Sequence, residues 1–249
     1  MRIFLVLPLI IIYAERFLSQ TPSEKLAETN CFARCGIMEP AMTPAGKVIG
    51  GHTSTGSSYP WVTLIQGVYD CGGHKPIEIS STGFVIDPKV ILTTAHSMFY
   101  ETKLIRKACP IPGFIFDEFV EPFAPKWTQF QPNEVKVYIG AVTMGDIQQG
   151  NSTVVEVEKI IIREGFNMRG TDQLYAYDLA ALILKEPLEL GPKLRKVCIP
   201  DAAFSETKGS MAHLSGWDKY KTNSATSNKV SEFRDETSVP YESTDICNV

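Results

Sequence analysis

Three short stretches carry the residue types that could do chemistry. Val90–His96 reads Val-Ile-Leu-Thr-Thr-Ala-His, an apolar, β-branched run that predicts a buried strand ending at a histidine. An imidazole at a strand end is well placed as a general base, although a lone histidine is more often structural. Asp178 opens another apolar run, Leu179–Leu184, and supplies a carboxylate. Lys47 offers a basic cleavage point before Val-Ile-Gly-Gly.

The elements that must position these residues are β-strands. No convincing long amphipathic helical pattern occurs, and polar or Gly/Pro turns separate short runs rich in Val, Ile and aromatic residues. Several short strands without helices favour a barrel or a sandwich, and the pattern leaves both open. The predicted strands are Val62–Ile65, Gly83–Ile86, Val90–Leu92, Val135–Ile139, Val154–Ile162 and Leu179–Leu184.

The bulk composition is that of an ordinary globular protein. The chain has 249 residues, 44% of them hydrophobic and 21% charged, which is enough for one large or two small domains. The formal net charge of -4 argues against nucleic acid or an anionic membrane as the main partner.

The N-terminus predicts secretion. Met1-Arg2 precedes a short apolar run that is too short to span a bilayer comfortably, and we interpret residues 1–19 as a signal peptide. No other segment is long and apolar enough to span a bilayer. Secretion would permit disulfides and would make Asn151, in Asn-Ser-Thr, a usable glycosylation site. The expected location is extracellular.

Several motifs together resemble the trypsin/chymotrypsin-like serine protease family. The matching stretches run from about residue 35 to the end of the chain, apart from one long insert. They are Val48–Gly51, Tyr59–Trp61, Gly83–Ile86, Thr94–His96, Asp178–Leu184 and Ser215–Trp217. The resemblance implies an all-β, chymotrypsin-like antiparallel double β-barrel, with the first barrel complete and the second incomplete.

The resemblance also assigns roles. His96 would be the general base and Asp178 its orienter in a serine endopeptidase that acts on proteins or peptides without a cofactor or a metal. The family's nucleophile lies in Gly-Asp-Ser-Gly-Gly, which this sequence does not contain, and Gly216 is its last glycine. We therefore expect the chain as written to be inactive. The alternative is a secreted, non-catalytic protease homologue that binds or regulates partners.

The family's activation step has a counterpart here. Residues 20–47 would form a pro-segment and residues 48–249 the peptidase domain. A trypsin-like activating protease would cut between Lys47 and Val48. In the family the freed amino group pairs with an Asp beside the nucleophile, and that partner is absent from this sequence.

The six cysteines give a second comparison with the family. Cys35 and Cys198 resemble the pair that tethers the pro-segment in chymotrypsin-like zymogens. The pair that flanks the catalytic histidine in the family is Ser81 and Ser97 here, and Cys71 and Cys109 lie just outside those positions and are candidates to pair instead. Cys31 and Cys247 stay unassigned. No Cys-x-x-Cys or close His pair supports a metal site.

A long insert, at about residues 97–131, departs from the family's basic pattern. Its aromatic residues alternate with acidic ones: Phe114, Phe116, Phe119, Phe123, Trp127 and Phe130. Loops of this length are usually functional or mobile. We favour a flap whose aromatic side chains pack on the barrel over an exosite that contacts macromolecules.

Overall fold

The structure is a computed structural model that describes part of the chain. The described residues are 35–36, 52–53, 59–103, 105, 109, 126–168, 176–191, 194–200, 209–217, 219–221, 228–230 and 235–240. The predicted signal peptide and the cleavage point between Lys47 and Val48 lie outside these residues. Of the predicted pro-segment, residues 35–36 are described.

The described chain forms thirteen strands. The first nine are β1 (His52–Thr53), β2 (Val62–Cys71), β3 (His74–Asp87), β4 (Val90–Thr93), β5 (Phe99–Glu101), β6 (Trp127–Gln129), β7 (Val135–Ile139), β8 (Thr153–Ile162) and β9 (Ala180–Leu184). The last four are β10 (Met211–Gly216), β11 (Lys219–Lys221), β12 (Asn228–Val230) and β13 (Asp235–Pro240). Each of the six strands predicted from the sequence lies wholly or almost wholly within one of these.

Six of these strands close into an antiparallel barrel in the order β2-β3-β4-β9-β8-β7. The barrel interior is apolar because one face of each strand points inward. Ile65, Val85, Ile91, Val137 and Leu182 are fully buried. Gly83 is required on β3, because a Cβ there would lie 2.6 Å from the Ile65 side chain and 2.7 Å from that of Ile91.

The second half of the fold contributes a smaller sheet, ordered β1-β13-β10, and the hairpin β11–β12. Thr82 of β3 meets this sheet: its hydroxyl accepts a hydrogen bond from the Trp217 backbone N–H at 3.1 Å. A Cβ on Gly216 would lie 2.6 Å from the same hydroxyl, so the chain approaches the first barrel closely here. The all-β double-barrel prediction, with one complete and one incomplete barrel, is confirmed.

Helices are short within the described residues. Two are 3₁₀ helices, His96–Met98 and Pro132–Glu134, and the α-helix α1 covers Met144–Gln148. A capping box begins α1: the Thr143 backbone N–H donates to the Asp146 carboxylate at 2.7 Å, and the Asp146 backbone N–H donates to the Thr143 hydroxyl at 3.0 Å. The Val142 backbone N–H donates to the same carboxylate at 3.0 Å. Burial disfavours the charged form of Asp146, but these hydrogen bonds outweigh it and lower the pKa of the carboxyl.

The insert leaves and rejoins the barrel through a two-stranded ribbon, β5 paired with β6. Thr102 and Thr128 join their hydroxyls across it at 2.7 Å. Phe130, at the end of the ribbon, is 1% exposed and packs on Gly67 of β2. The predicted packing on the barrel therefore holds at Phe130, while the other predicted phenylalanines lie outside the described residues.

Candidate active site

The register of two neighbouring barrel strands brings His96 and Asp178 together. Strands β4 and β9 are antiparallel, and Thr93, the last residue of β4, pairs with Ala180, the first residue of β9. His96 follows this pair by three residues and Asp178 precedes it by two. Both side chains therefore leave the same end of the barrel, although 82 positions separate them in sequence.

Two hydrogen bonds join these residues. The His96 imidazole Nδ1 lies 2.6 Å from Asp178 Oδ2, and the His96 backbone N–H donates to Asp178 Oδ1 at 2.8 Å. Because an ionised carboxylate only accepts, an Nδ1–H that donates to it would leave the lone pair of a neutral ring on Nε2. The imidazole is 45% exposed and the carboxylate 15%, so His96 faces solvent while Asp178 is largely covered.

The strand end beneath His96 is firmly anchored. The Thr93 hydroxyl donates to the Thr82 carbonyl at 2.9 Å, and Ala95 is fully buried. The hydroxyls of Thr94 and Ser97 are 2.5 Å apart. These contacts fix the direction in which the 3₁₀ helix His96–Met98 leaves the barrel. They thereby fix the backbone position from which the imidazole projects.

Two serines lie on the described sheet β1-β13-β10. Ser238, on β13, has its hydroxyl 2.8 Å from Nδ1 of a second histidine, His213. Ser215 Oγ, on β10, is buried without a hydrogen-bond partner.

Two disulfides occur among the described residues. Cys35 is bonded to Cys198, with their Cα atoms 5.1 Å apart, and the Gly36 backbone N–H donates to the Lys196 carbonyl at 2.9 Å. Cys71 is bonded to Cys109, which ties the insert to the end of the β2–β3 hairpin. These are the two pairings predicted from the sequence.

The predicted glycosylation site is among the described residues. Asn151 is exposed, in the turn after α1, where its backbone N–H donates to the Asp146 carbonyl at 2.7 Å. Within the described residues there is no group of three or more His, Cys, Asp or Glu side chains that could hold a metal ion. In the same part of the chain, no helix is both long and apolar enough to cross a membrane.

Tyr177, directly before Asp178, has a backbone conformation that its sequence context does not predict. Its φ of 60° places it in the left-handed region, and among the described residues it is the one non-glycine there. The run Tyr-Asp-Leu-Ala-Ala-Leu reads as the start of a strand, and an aromatic residue gives no signal for this conformation. An unexpected backbone beside a candidate catalytic carboxylate is a feature that only the structure shows.

Comparisons with known proteins agree with this architecture. The family model described as Trypsin matches residues 128–247. Mouse transmembrane protease serine 11G is 24% identical over 207 residues, which are 82% of this chain and 37% of that protein. Human haptoglobin is 21% identical over 203 residues, 82% of this chain and 38% of its own.

Mouse complement C1r-B subcomponent is 24% identical over 188 residues, which are 75% of this chain and 22% of that protein. The chain thus spans less than half the length of each of these relatives. With the closed six-stranded barrel, these matches show that the chain is similar to trypsin/chymotrypsin-like serine proteases.

Proposed function

We propose that this chain carries the general base and the orienting carboxylate of a serine endopeptidase that cleaves proteins or peptides. The observation that carries the proposal is the double hydrogen bond between His96 and Asp178. A surface ion pair would not need the carboxylate to bind both the ring and the backbone of the same histidine. That arrangement fixes the position of the ring and its tautomer together.

The chemistry follows from the tautomer. Nε2 of His96 would accept the proton of an attacking serine hydroxyl and later give it to the leaving amine. Asp178 would stabilise the imidazolium formed between these steps. The 249 residues contain no serine flanked by glycines after Gly216, so we expect them alone to hydrolyse no peptide.

A second candidate is a secreted, non-catalytic homologue that binds partners through the cleft and the insert. The Cys71–Cys109 bond favours it, because a disulfide that anchors the insert to the barrel limits the conformations of any surface it carries.

We further propose that the chain is a secreted zymogen, cut after Lys47 by a trypsin-like protease and glycosylated at Asn151. Two disulfides support an oxidising compartment. The exposure of the Asn151 side chain supports the modification. The Cys35–Cys198 bond would keep the cut pro-segment attached to the peptidase domain.

The test compares two secreted proteins: the 249-residue chain, and the same chain extended by whatever coding sequence follows Val249 in its transcript. Each is cut at Lys47 and assayed with a fluorophosphonate probe and a broad peptide mixture. Catalysis predicts labelling of the extended chain alone. Asp178→Asn should lower its kcat about ten-thousandfold, and His96→Ala should lower it at least as far.

The exposed strand residue Glu158, changed to Gln, is the matched control and should leave the extended chain active. Failure of the extended chain to label would contradict the catalytic proposal and favour the binding protein. Labelling of the 249-residue chain that is lost with His96→Ala would show that a serine within it acts as the nucleophile.

A further inference from the structure

The backbone before Asp178 makes a tight turn that an aromatic residue rarely adopts. Tyr177 has a φ of 60°. Its carbonyl accepts a hydrogen bond from the Leu179 backbone N–H at 2.7 Å, so the turn closes over three residues with Asp178 at its centre. The direction of the Asp178 carboxylate therefore depends on the left-handed conformation of Tyr177.

A second turn, which follows β8, contacts Tyr177 and Leu179, the two residues that flank Asp178. The Arg163 backbone N–H donates to the Leu179 carbonyl at 2.9 Å, and the Arg163 guanidinium lies 4.9 Å from the centre of the Tyr177 ring. The ring also lies on Gly165, where an added Cβ would come within 3.1 Å of it. The backbone and the side chain beside Asp178 thus rest on residues 163–165.

The same turn reaches the histidine. Phe166 closes it by donating its backbone N–H to the Arg163 carbonyl at 3.1 Å. Its ring lies 5.9 Å from that of Phe99, which directly follows the 3₁₀ helix begun by His96. The turn at 163–166 therefore contacts the chain next to both members of the candidate pair.

We propose that Tyr177 is a positioning residue, which acts through its left-handed backbone and the contact of its ring with the turn at 163–166 to hold the Asp178 carboxylate against His96. The proposal rests on the function proposed for that pair. The ring is 53% exposed, so its role is to bridge two turns rather than to fill the core.

The test follows the His96 Nδ1–H proton by NMR in the full chain, assigned by its loss in His96→Ala. Its downfield shift and its exchange rate with solvent report the bond to Asp178. Tyr177→Val should weaken the bond to Asp178, because β-branching disfavours the left-handed backbone. Exchange should speed up at least about tenfold, since loss of a hydrogen bond to a charged group changes an equilibrium by at least that factor. Tyr177→Asn should keep the turn without the ring and give a smaller increase, whereas Tyr177→Phe should match the wild type.

Gly165→Ala and Gly150→Ala form a matched pair, since both glycines have positive φ, of 90° and 73°, but nothing lies within 4 Å of a Cβ at Gly150. Gly165→Ala should move the Nδ1–H signal, and Gly150→Ala should destabilise the fold without moving it. Equal signals in all Tyr177 and Gly165 variants would overturn the positioning role. If Asp178→Asn also left the signal unchanged, the proposed function of the pair would fall with it.

Discussion

Replacement of Gly67 by alanine places two physical effects in opposition. In a strand, alanine is preferred to glycine by about 0.5–1 kcal/mol, because glycine loses more backbone entropy on folding. The structure predicts that alanine at this position instead destabilises the fold. A Cβ at Gly67 would lie 2.5 Å from Cζ and 2.8 Å from Cδ2 of Phe130, and closer still to Cε2.

The Phe130 ring has nowhere to move. It is 1% exposed, its centre lies 5.0 Å from that of Tyr100, and its backbone N–H donates to the Met98 carbonyl at 2.9 Å. Overpacking of a core typically costs about 1–3 kcal/mol. After the strand preference is subtracted, we expect Gly67→Ala to lower the free energy of unfolding by roughly 1 kcal/mol.

Urea unfolding followed by tryptophan fluorescence measures this change. The matched variant is Gly67→Ala with Phe130→Leu, because a smaller side chain makes room for the methyl group. The double variant should be less destabilised than the sum of the two single variants, with a coupling of about 0.5–3 kcal/mol. A Gly67→Ala protein as stable as the wild type, or more so, would refute the steric argument. It would also contradict the close packing of Phe130 on β2.

Three further predictions follow from other contacts. Cleavage after Lys47 should leave the pro-segment attached on non-reducing gels, and Cys198→Ser should release it; release from the wild type without reductant would contradict the role of the Cys35–Cys198 bond. The Asp146 carboxyl, whose pKa is lowered in the folded state, should contribute stability above its ordinary value of 3.8 and lose it as the pH falls through the folded pKa. Asp146→Asn should therefore destabilise the chain by about 1 kcal/mol at pH 7 in urea unfolding and by less in acid, and a pH-independent difference would show another cause. Phe130→Ala should lower the free energy of unfolding by about 3–5 kcal/mol, and a loss below about 1 kcal/mol would mean that the ring is not part of the core.

The sequence by itself determined the strands and the nature of the candidate site. Periodicity and β-branched residues located the barrel strands, because one face of each must be apolar. A histidine after one apolar run and an aspartate before another marked both residues as candidates, because each sits where a strand meets a loop. The family resemblance then implied their roles as base and orienter. The family motifs then decided for a barrel over a sandwich, which the strand pattern had left open.

Only the tertiary structure decided how these residues meet. The pairing of Thr93 with Ala180 sets the distance between His96 and Asp178, and no local pattern encodes a register between strands so far apart in sequence. The left-handed backbone of Tyr177 likewise depends on a turn that precedes it, at residues 163–166. Local propensity would not choose that conformation for an aromatic residue; contacts made only after the barrel closes stabilise it.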